Sequence, residues 1–382
     1  MVISMKGGEI VNLTLTAKVR ILPNEEQQSH LLKTRKAYMD ACSEVSDYIS
    51  STHILNAAML NQALYRSLRE KYGLKSQMAQ SVLRTVTARY KTILENQHEW
   101  IRPEFRHAEL DLVWNRDYSL KAEVFSVNTL EGRVKFPFFS QGMESFFDGT
   151  WKFGTAKLVT KHGKWFLHIP MTKDIPEVSA AGISNIVGVD LGINFLAVSY
   201  DSQGKTKFFH GRHIKQKRAQ YKKTRRSLQK KQTPSARRRL KKIGQREHRW
   251  MSDVNHQVSK ALAAQNPSGS LFVLEDLTGI RQATEKVALK HRYETVSWSF
   301  YDLREKLRYK ARRNHCAVIL VDPKYTSQRC PKCGHIHKQN RNKKTHIFTC
   351  GKCGYQSNDD RIGAMNLYRK GIEYLWSTVA AG

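Results

Sequence analysis

Residues 186–204 read IVGVDLGINFLAVSYDSQG, and the second half of the chain takes its architecture from this stretch. Its two apolar runs predict two strands, because Gly and Asn at 192–194 and Gly204 after the second run are typical of turns. Asp190 lies inside the first run, where an unpaired charge would be costly. A buried carboxylate of this kind is retained when it binds a metal ion. A cap, a turn or a salt bridge is the alternative interpretation.

This stretch begins a block in which strands and helices alternate. SLFVLEDL at residues 270–277 is a short apolar run that ends in acids, which predicts a buried strand. Residues 298–313 carry apolar positions at helical spacing, and CAVILVD at residues 316–322 predicts a further strand. Alternation of this kind from residue 185 to residue 322 predicts an α/β layer architecture.

The first half of the chain has a different pattern. Residues 14–22 alternate apolar and polar positions as a strand does, and Pro23 and Asn24 end the run. Residues 25–97 change to helical spacing, and period-two alternation returns over residues 117–175, as in GKWFLHIPM. We therefore predict a β-module whose first strand is followed by an inserted helical domain.

The composition points to a polyanionic partner. The length of 382 residues predicts two to four folded units, and 40% hydrophobic residues are enough to form their cores. The chain has 65 Lys and Arg against 33 Asp and Glu, a formal charge of +32. Nucleic acid would neutralise this charge with release of counterions. No stretch approaches the ~18 apolar residues of a membrane span, and no signal peptide is evident. We expect a cytoplasmic, nucleoid-associated protein with no membrane partner.

The charge is densest at residues 212–249, which contain 17 Lys or Arg and one acid, Glu247. An apolar residue recurs every seven positions there, and Pro234 separates two helical patterns, so a basic helical hairpin is predicted over residues 212–266. A solvated charged face is the alternative to nucleic-acid contact, but the single sign of the run favours contact. The predicted nucleic-acid-binding residues are Arg218, Lys222, Arg225, Arg226, Arg237, Arg238, Arg239 and Lys242.

Four of the six cysteines form two matched pairs. Cys330 and Cys333 are separated by sixteen residues from Cys350 and Cys353, and a glycine follows each pair directly. Four thiolates at this spacing suit a structural, tetrahedral zinc ribbon, because each CxxC turn supplies two ligands and four cysteines leave no open position. The histidines of this segment are interpreted as loop residues: His335, His337 and His346.

Three acids lie at predicted strand ends or helix starts. They are Asp190, Glu275 after the strand LFVLE, and Asp360 at the start of the helical run DRIGAMNLYRKGI. Three converging carboxylates could hold two Mg²⁺ ions for phosphodiester hydrolysis. Each acid by itself could instead be a cap or an ion-pair partner. The adjacent Asp276 and Asp359 are competitors that spacing alone does not dismiss.

The segments GVDLGINFLAV, LEDL, YTSQRCPKCG and CGKCGYQSNDDRIGAMNL, in this order, closely resemble the TnpB family of transposon-encoded RNA-guided nucleases. The resemblance covers residues 185–369 with high specificity, and TLTAKVRILPNEEQ resembles the family's opening strand more weakly. The family pattern implies that Asp190, Glu275 and Asp360 are the catalytic, Mg²⁺-binding acids, in preference to Asp276 and Asp359. One departure is Ile362-Gly363, where many relatives have Asn-Ala.

The resemblance also implies a multidomain architecture of α/β layers plus a β-barrel. A wedge β-barrel would comprise residues 1–24 and 116–182, with a helical recognition domain at 25–115. An RNase H-like (RuvC) nuclease core would comprise 183–323 and 358–382. The zinc ribbon, a target nucleic-acid-binding module, would be inserted at 324–357, and residues 278–296 would form a lid over the active site.

The activity implied by the resemblance is RNA-guided cleavage of DNA. A guide RNA from the transposon end would pair with target double-stranded DNA beside a short adjacent motif, and Mg²⁺-dependent hydrolysis would follow. The first alternative is an RNase H-like DNA transposase that acts on transposon ends without a guide RNA. The second is a nuclease-dead RNA-guided binder, whose signature would be a missing acid, and all three acids are present.

Overall fold

A computed structural model describes residues 10–96, 99–106, 109–121, 123–161, 163–192, 194–277, 300–342 and 344–380. The predicted lid at residues 278–296 lies outside these ranges. The chain divides into two compact units. One comprises Asn12–Lys173, and the other comprises Asp174–Gly382 together with Ile10 and Val11. Among the described residues, no helix has both the length and the apolar composition that a bilayer span requires.

Three helices form one half of the first unit: α1 Glu25–Thr52, α2 Ala57–Tyr72 and α3 Ser76–Glu95. α1 begins with a capping box, in which Asn24 and Gln27 each accept a hydrogen bond from the other's backbone N–H. Tyr38 and Tyr90 are fully buried, and their hydroxyls bond to Thr85 and Ser46. The helical prediction for this segment is confirmed.

The other half of the first unit is a sheet of eight strands: β1 Ile10–Ile21, β2 Leu110–Leu112, β3 Tyr118–Lys121, β4 Val124–Thr129, β5 Gly132–Phe139, β6 Lys152–Phe153, β7 Ala156–Lys161 and β8 Lys164–Pro176. The order is β2-β7-β8-β1-β5-β4-β3, and β6 pairs with β8. The two end strands, β2 and β3, are consecutive in the chain and joined by a tight turn in which the backbone N–H of Asn115 bonds to the carbonyl of Tyr118. The sheet is therefore a nearly closed barrel.

The structure corrects one predicted boundary. The helical domain was expected to extend to residue 115, but Leu110–Leu112 is a barrel strand that pairs with β7. Leu110 and Leu112 are both buried on either side of Asp111. A period-two pattern of three residues is too short to be separated by sequence from the polar segment that precedes it.

The second unit is built on a mixed sheet of five strands: β9 Asn185–Asp190, β10 Phe195–Asp201, β11 Thr206–His210, β12 Ser270–Glu275 and β13 Ala317–Val321. The order is β11-β10-β9-β12-β13. β9, β10 and β11 pair antiparallel, whereas β12 pairs parallel with both β9 and β13. β12 is buried along its first five residues, as expected of a parallel strand covered on both faces.

Four helices accompany this sheet: α4 Arg212–Lys231, α5 Pro234–Ala264, α6 Phe300–Arg313 and α7 Asp359–Ala380. α5 and α6 supply apolar residues to one core, with Phe272 and Leu274 of β12. α7 supplies Leu367 to a second core with Leu271 and Val273 of the same strand. Alternate residues of β12 thus face two helical layers, and the α/β layer prediction is confirmed.

A small three-stranded antiparallel sheet lies between β13 and α7 in sequence. Its strands are β14 Arg341–Asn342, β15 Ile347–Thr349 and β16 Gln356–Asn358. Short 3-10 helices occur at Glu144–Phe146, Ala180–Gly182 and Lys338–Asn340. Phe348 of β15 is fully buried and packs with Cys330, Cys350 and Ile362 of α7. This contact joins the ribbon to the first turn of the last helix.

Candidate active site and metal site

Two of the three predicted acids lie at the ends of neighbouring parallel strands. Asp190 is the last residue of β9 and Glu275 is the last residue of β12. The register pairs Val189 with Leu274, so the two acids follow at the same level. In α/β sheets, ligands bind at the carboxyl ends of the strands. The sheet alone therefore brings Asp190 and Glu275 to one edge.

The third acid, Asp360, lies in the first turn of α7, and this helix packs very closely on β9. A Cβ atom added to Gly188 would lie 2.0 Å from the carbonyl oxygen of Ala364. One added to Gly363 would lie 2.8 Å from Oδ2 of Asp190. Only glycine permits backbone to approach this closely, and the approach brings the start of α7 to the carboxylate of Asp190. Gly363, the departure from the family pattern, is thus a residue that touches the candidate site.

The electrostatics disfavour ionisation of all three carboxyls, and the other two acids contribute to this at Asp190. Burial raises the pKa of Asp190 well above its ordinary value, and the charges of Glu275 and Asp360 raise it further. Burial also raises the pKa of Glu275. The pKa of Asp360 is raised by burial and then by the neighbouring Asp359. Carboxylate oxygens are the ligands that hard divalent metal ions prefer, so these three residues are the candidates to hold one.

Glu275 is held in place by a hydrogen-bonded chain that ends on α7. The hydroxyl of Thr326 donates to Oε1 of Glu275 at 2.5 Å. Asn366 of α7 in turn donates from Nδ2 to the carbonyl oxygens of Thr326 and Arg329, at 2.7 and 2.8 Å. Thr326 and Asn366 are both almost completely buried. The orientation of the Glu275 carboxylate therefore depends on a loop and a helix distant in sequence.

Sequence analysis missed one cation at this site. Arg341 of β14 donates from Nε to Oδ2 of Asp359 at 2.8 Å, and its Nη2 lies 3.8 Å from Oδ1 of Asp360. Its charge opposes the rise in the pKa of Asp190, Glu275 and Asp360. His346 also contacts Asp359, with Nδ1 3.3 Å from Oδ2. No signal distinguishes Arg341 from the other basic residues of this loop, and only the fold selects it.

The two competing acids have different partners. Asp359 has a fully buried side chain and is paired with Arg341 and His346. Asp276 is about one-third exposed and lies 3.8 Å from Nη1 of Arg304. Both acids therefore have ion-pair partners, whereas Asp190 has two carboxylates as its principal charged neighbours.

The four cysteines form a compact cluster. Their sulfurs all lie within 4.8 Å of one another, with Cys330 and Cys353 at 3.7 Å and Cys333 and Cys350 at 3.5 Å. Ligands ~2.3 Å from a tetrahedral ion would be about 3.8 Å apart. Burial would raise the pKa of the Cys350 thiol, but hydrogen bonds from backbone N–H groups of the second knuckle lower it to about 6. This cluster could therefore bind one structural metal ion.

The basic helical hairpin is confirmed as α4 and α5, which are joined at Gln232 and Thr233. Leu228 is buried, and Tyr221 packs against Trp250 at 6.0 Å between ring centroids. Of the predicted nucleic-acid-binding residues, six are exposed: Lys222, Arg226, Arg237, Arg238, Arg239 and Lys242.

The remaining two predicted contacts face inward. Arg225 is partly buried and lies 2.5 Å from the buried carboxylate of Glu247. Arg218 is only 6% exposed. The nucleic-acid contact of Arg218 stays a prediction, and in this fold its guanidinium is not accessible to a phosphate. Helical spacing placed it one turn from the apolar residue Ile214, on the face that packs inward.

Two family models match the chain. OrfB_IS605, described as a probable transposase, matches residues 156–278, and the Cas12f1-like TNB domain matches residues 300–367. The TNB match includes the ribbon cysteines and Asp360, and the OrfB_IS605 match includes Asp190, Glu275 and the basic hairpin.

Curated relatives match over part of their length. The CRISPR-associated endodeoxyribonuclease Cas12f1 of Sulfoacidibacillus thermotolerans is 29% identical, over 59% of this chain and 55% of the relative. A TnpB-like protein of Methanocaldococcus jannaschii is 31% identical, over 34% of this chain and 46% of the relative. The putative RNA-guided DNA endonuclease InsQ of Escherichia coli K12 is 27% identical, over 57% of each. The chain thus spans about half the length of these relatives.

A solved structure shares the fold over nearly the whole chain. The Cas12f1–sgRNA–target DNA complex matches with a TM-score of 0.63 and 13% identity, and covers 94% of this chain and 99% of that one. At this identity the match concerns the fold alone. The chain therefore shares its fold with a Cas12f effector.

Proposed function

We propose that this chain, which belongs to the TnpB family, is an RNA-guided DNA endonuclease. It binds a guide RNA derived from the transposon end and cleaves target double-stranded DNA beside a short adjacent motif. The observation that carries the proposal is the placement of Asp190, Glu275 and Asp360. They come from two strands and a helix, burial raises the pKa of each, and the charges of Glu275 and Asp360 raise the pKa of Asp190 further. The names of its relatives, an endodeoxyribonuclease and a putative RNA-guided DNA endonuclease, support it.

The proposed nuclease core is RNase H-like (RuvC), with Asp190, Glu275 and Asp360 as catalytic acids. Two Mg²⁺ ions held by these carboxylates would activate the attacking water and stabilise the leaving oxygen. Thr326 holds one oxygen of Glu275 in a fixed orientation. Arg341 provides the positive charge that balances Asp359 and Asp360. These contacts would keep the acids in position before the DNA strand arrives.

The ribbon cysteines Cys330, Cys333, Cys350 and Cys353 are proposed to hold one structural zinc ion. The sulfur separations of 3.5 and 3.7 Å support this ligand set. Because Arg341 belongs to the ribbon and reaches Asp359, the zinc would also keep this arginine beside the candidate active site. The ribbon would thereby contribute to catalysis without touching the reacting atoms.

The guide RNA and the target DNA are the proposed partners. The net charge of +32 requires neutralisation by a polyanion. The exposed arginines and lysines of α4 and α5 are proposed to contact phosphates of the guide RNA or of the guide–target duplex. Base pairing would then provide sequence specificity, and the protein would bind the backbone.

A transposase that uses the same carboxylates is the second candidate function. The family model over residues 156–278 is described as a probable transposase. This activity would act on transposon ends and would need no guide RNA. The two candidates therefore differ in whether RNA is required for cutting.

The test is cleavage of a plasmid that carries a guide-matched target, after sequencing of the RNA that copurifies with the full chain. We expect Mg²⁺-dependent cutting that is lost after ribonuclease treatment. Asp190→Ala, Glu275→Gln and Asp360→Ala should each nearly abolish cutting but leave RNA binding intact. Their combination should cost no more than one alone, because the acids act as a unit. Cutting by protein free of RNA would favour the transposase, and full cutting by Asp190→Ala would refute the acid assignment.

A further inference from the structure

A small cavity lies beside the candidate active site, on the loop between β13 and the first cysteine pair. Its volume is about 210 Å³, below the ~300 Å³ at which pockets for drug-sized ligands begin. Its lining includes Lys324, Tyr325, Thr326, Arg329, Asn366 and Lys370. The hydroxyl of Thr326 bonds to Glu275 at 2.5 Å, so this wall of the cavity is in direct contact with one of the three acids.

Tyr325 has an unusual conformation for a large aromatic residue. Its φ is +65°, in the left-handed region that strains a residue with a side chain. The residue is also 45% exposed, so a large part of its surface is open to a ligand. Strained residues persist only where the surrounding structure imposes them, and they cluster at sites that bind ligands.

The backbone on both sides of Tyr325 is held by α7. Asn366 donates to the carbonyl oxygens of Thr326 and Arg329, and Lys370 donates to those of Asp322 and Lys324. The four bonds hold the loop on both sides of Tyr325. The loop therefore holds the partly exposed ring of Tyr325 in a fixed position.

The surroundings of the ring are cationic. Nζ of Lys324 lies 5.2 Å from the ring centroid of Tyr325, and Lys370 and Arg329 line the same cavity. Arg329 is balanced by Glu373 at 3.5 Å, and Asp322 is the acid in the lining. Exposed aromatic rings next to cations are the means by which proteins bind single-stranded nucleic acid, since the bases stack and the phosphates pair with the cations.

We propose that Tyr325 is a substrate-binding residue that stacks on a base of the DNA strand being cut, with Lys324 beside the adjoining phosphate. The inference rests on the proposed nuclease function and deepens it, because it assigns a subsite next to Glu275. One base would leave its neighbours in the strand and stack on Tyr325. This contact would fix the direction of the strand across Asp190, Glu275 and Asp360. Stacking does not depend on base identity, so the subsite binds any sequence.

The experiment uses the full chain with its copurified RNA and with Asp190→Ala, so that DNA is bound but not cut. The probe is a short single-stranded DNA with 2-aminopurine, whose fluorescence falls when it stacks, at elevated salt to weaken phosphate contacts. Tyr325→Gly should weaken binding about fivefold or more and remove the quenching that depends on the ring. Tyr325→Phe should preserve both. Glycine favours a positive φ, so Tyr325→Gly should fold at least as well as the parent.

Equal affinity and equal quenching for Tyr325→Gly and its parent would overturn the proposal. If the glycine variant loses structure, Tyr325→Asn serves in its place, because asparagine tolerates this conformation, and the same criterion applies. Trp376→Ala is the matched control, since Trp376 is 76% exposed at the far end of α7 and its replacement should change neither signal. Guided plasmid cleavage by the wild type, measured in parallel, reports separately on the proposed nuclease function.

Discussion

Asp190 illustrates how a residue can oppose the stability of the protein that contains it. Asp190 is partly buried, with Glu275 and Asp360 as its principal charged neighbours, and its pKa is well above the ordinary value. The native state therefore favours the protonated form, and the ionised form costs free energy. A cation would remove this cost. The conflict is expected of a binding site and is not explained by packing.

We predict that Asp190→Asn stabilises the metal-free protein, by about 1 kcal/mol, because the amide keeps the shape of the carboxylate without its charge. The gain should increase as the pH rises. A carboxyl whose pKa is raised in the folded protein destabilises that protein as it ionises, whereas the amide of the variant does not ionise. Denaturant unfolding with a chelator measures it. Mg²⁺ should then stabilise the wild type more than the variant.

Asp276→Asn is the control for this prediction. Asp276 is partly exposed and paired with Arg304, so its replacement should give no such gain. An Asp190→Asn protein that is less stable than the wild type at every pH would contradict the crowded-carboxylate interpretation.

At the scale of elements, the close packing of α7 on β9 brings the third acid to the other two. Gly188 has no space for a side chain, since an added Cβ would lie 2.0 Å from the backbone oxygen of Ala364 and 2.4 Å from the backbone nitrogen of Tyr368. Neither atom can move without moving the helix. The helix carries Asp360, so the position of that acid depends on a glycine in a distant strand.

We predict that Gly188→Ala lowers the free energy of unfolding by about 1–3 kcal/mol or more through overpacking, and that it lowers cleavage further by displacing Asp360. Gly244→Ala in α5 is the matched control, because its Cβ would meet only Arg225 at an ordinary 3.7 Å and alanine favours helix. It should be neutral or stabilising. Denaturant unfolding distinguishes them, and equal stability of the two variants would be inconsistent with this account of α7.

The basic hairpin gives a prediction at the same scale. Arg237, Arg238 and Arg239 are exposed in the first turns of α5. Reversal of all three to Glu should weaken RNA and guided DNA binding without unfolding the protein. The slope of log affinity against log salt should fall by roughly 0.7 to 0.9 for each phosphate that the variant no longer neutralises. An unchanged affinity across a salt titration would instead support a solvated charged face.

For the whole molecule, the ribbon and the mixed sheet are coupled through Arg341. This residue belongs to β14, yet it contacts Asp359 and approaches Asp360 at the start of α7. Phe348 and the ribbon cysteines share a core with Ile362 of the same helix. Loss of order in the ribbon should therefore disturb the contacts of Arg341 with Asp359 and Asp360 at the candidate active site.

We predict that Cys350→Ser removes the proposed zinc and also lowers DNA cleavage strongly, although no cysteine touches the acids. Elemental analysis should find close to one zinc per wild-type chain and far less in the variant. RNA binding through the hairpin should be retained, which serves as the internal control. Folded, fully active protein without zinc would exclude this role for the cluster.

Local patterns in the amino-acid sequence were sufficient to place most helices and strands, the two cysteine pairs and the basic hairpin. Those features depend on periodicity and on spacing along the chain, which a sequence reports directly. The same patterns identified Asp190, Glu275 and Asp360 at element ends, and the roles of these acids remain a prediction. They did not separate Leu110–Leu112 from the helical segment, because three residues carry too little pattern.

The tertiary structure was needed to show which distant residues meet. The parallel pairing of β9 with β12 places Asp190 beside Glu275, and the glycine contacts of α7 add Asp360. The fold selected Arg341 from a loop rich in basic residues and buried Arg218 within a helix of exposed ones. The loop around Tyr325 is held on both sides by bonds from α7. Such contacts depend on packing between segments far apart in the chain, about which local patterns contain no information.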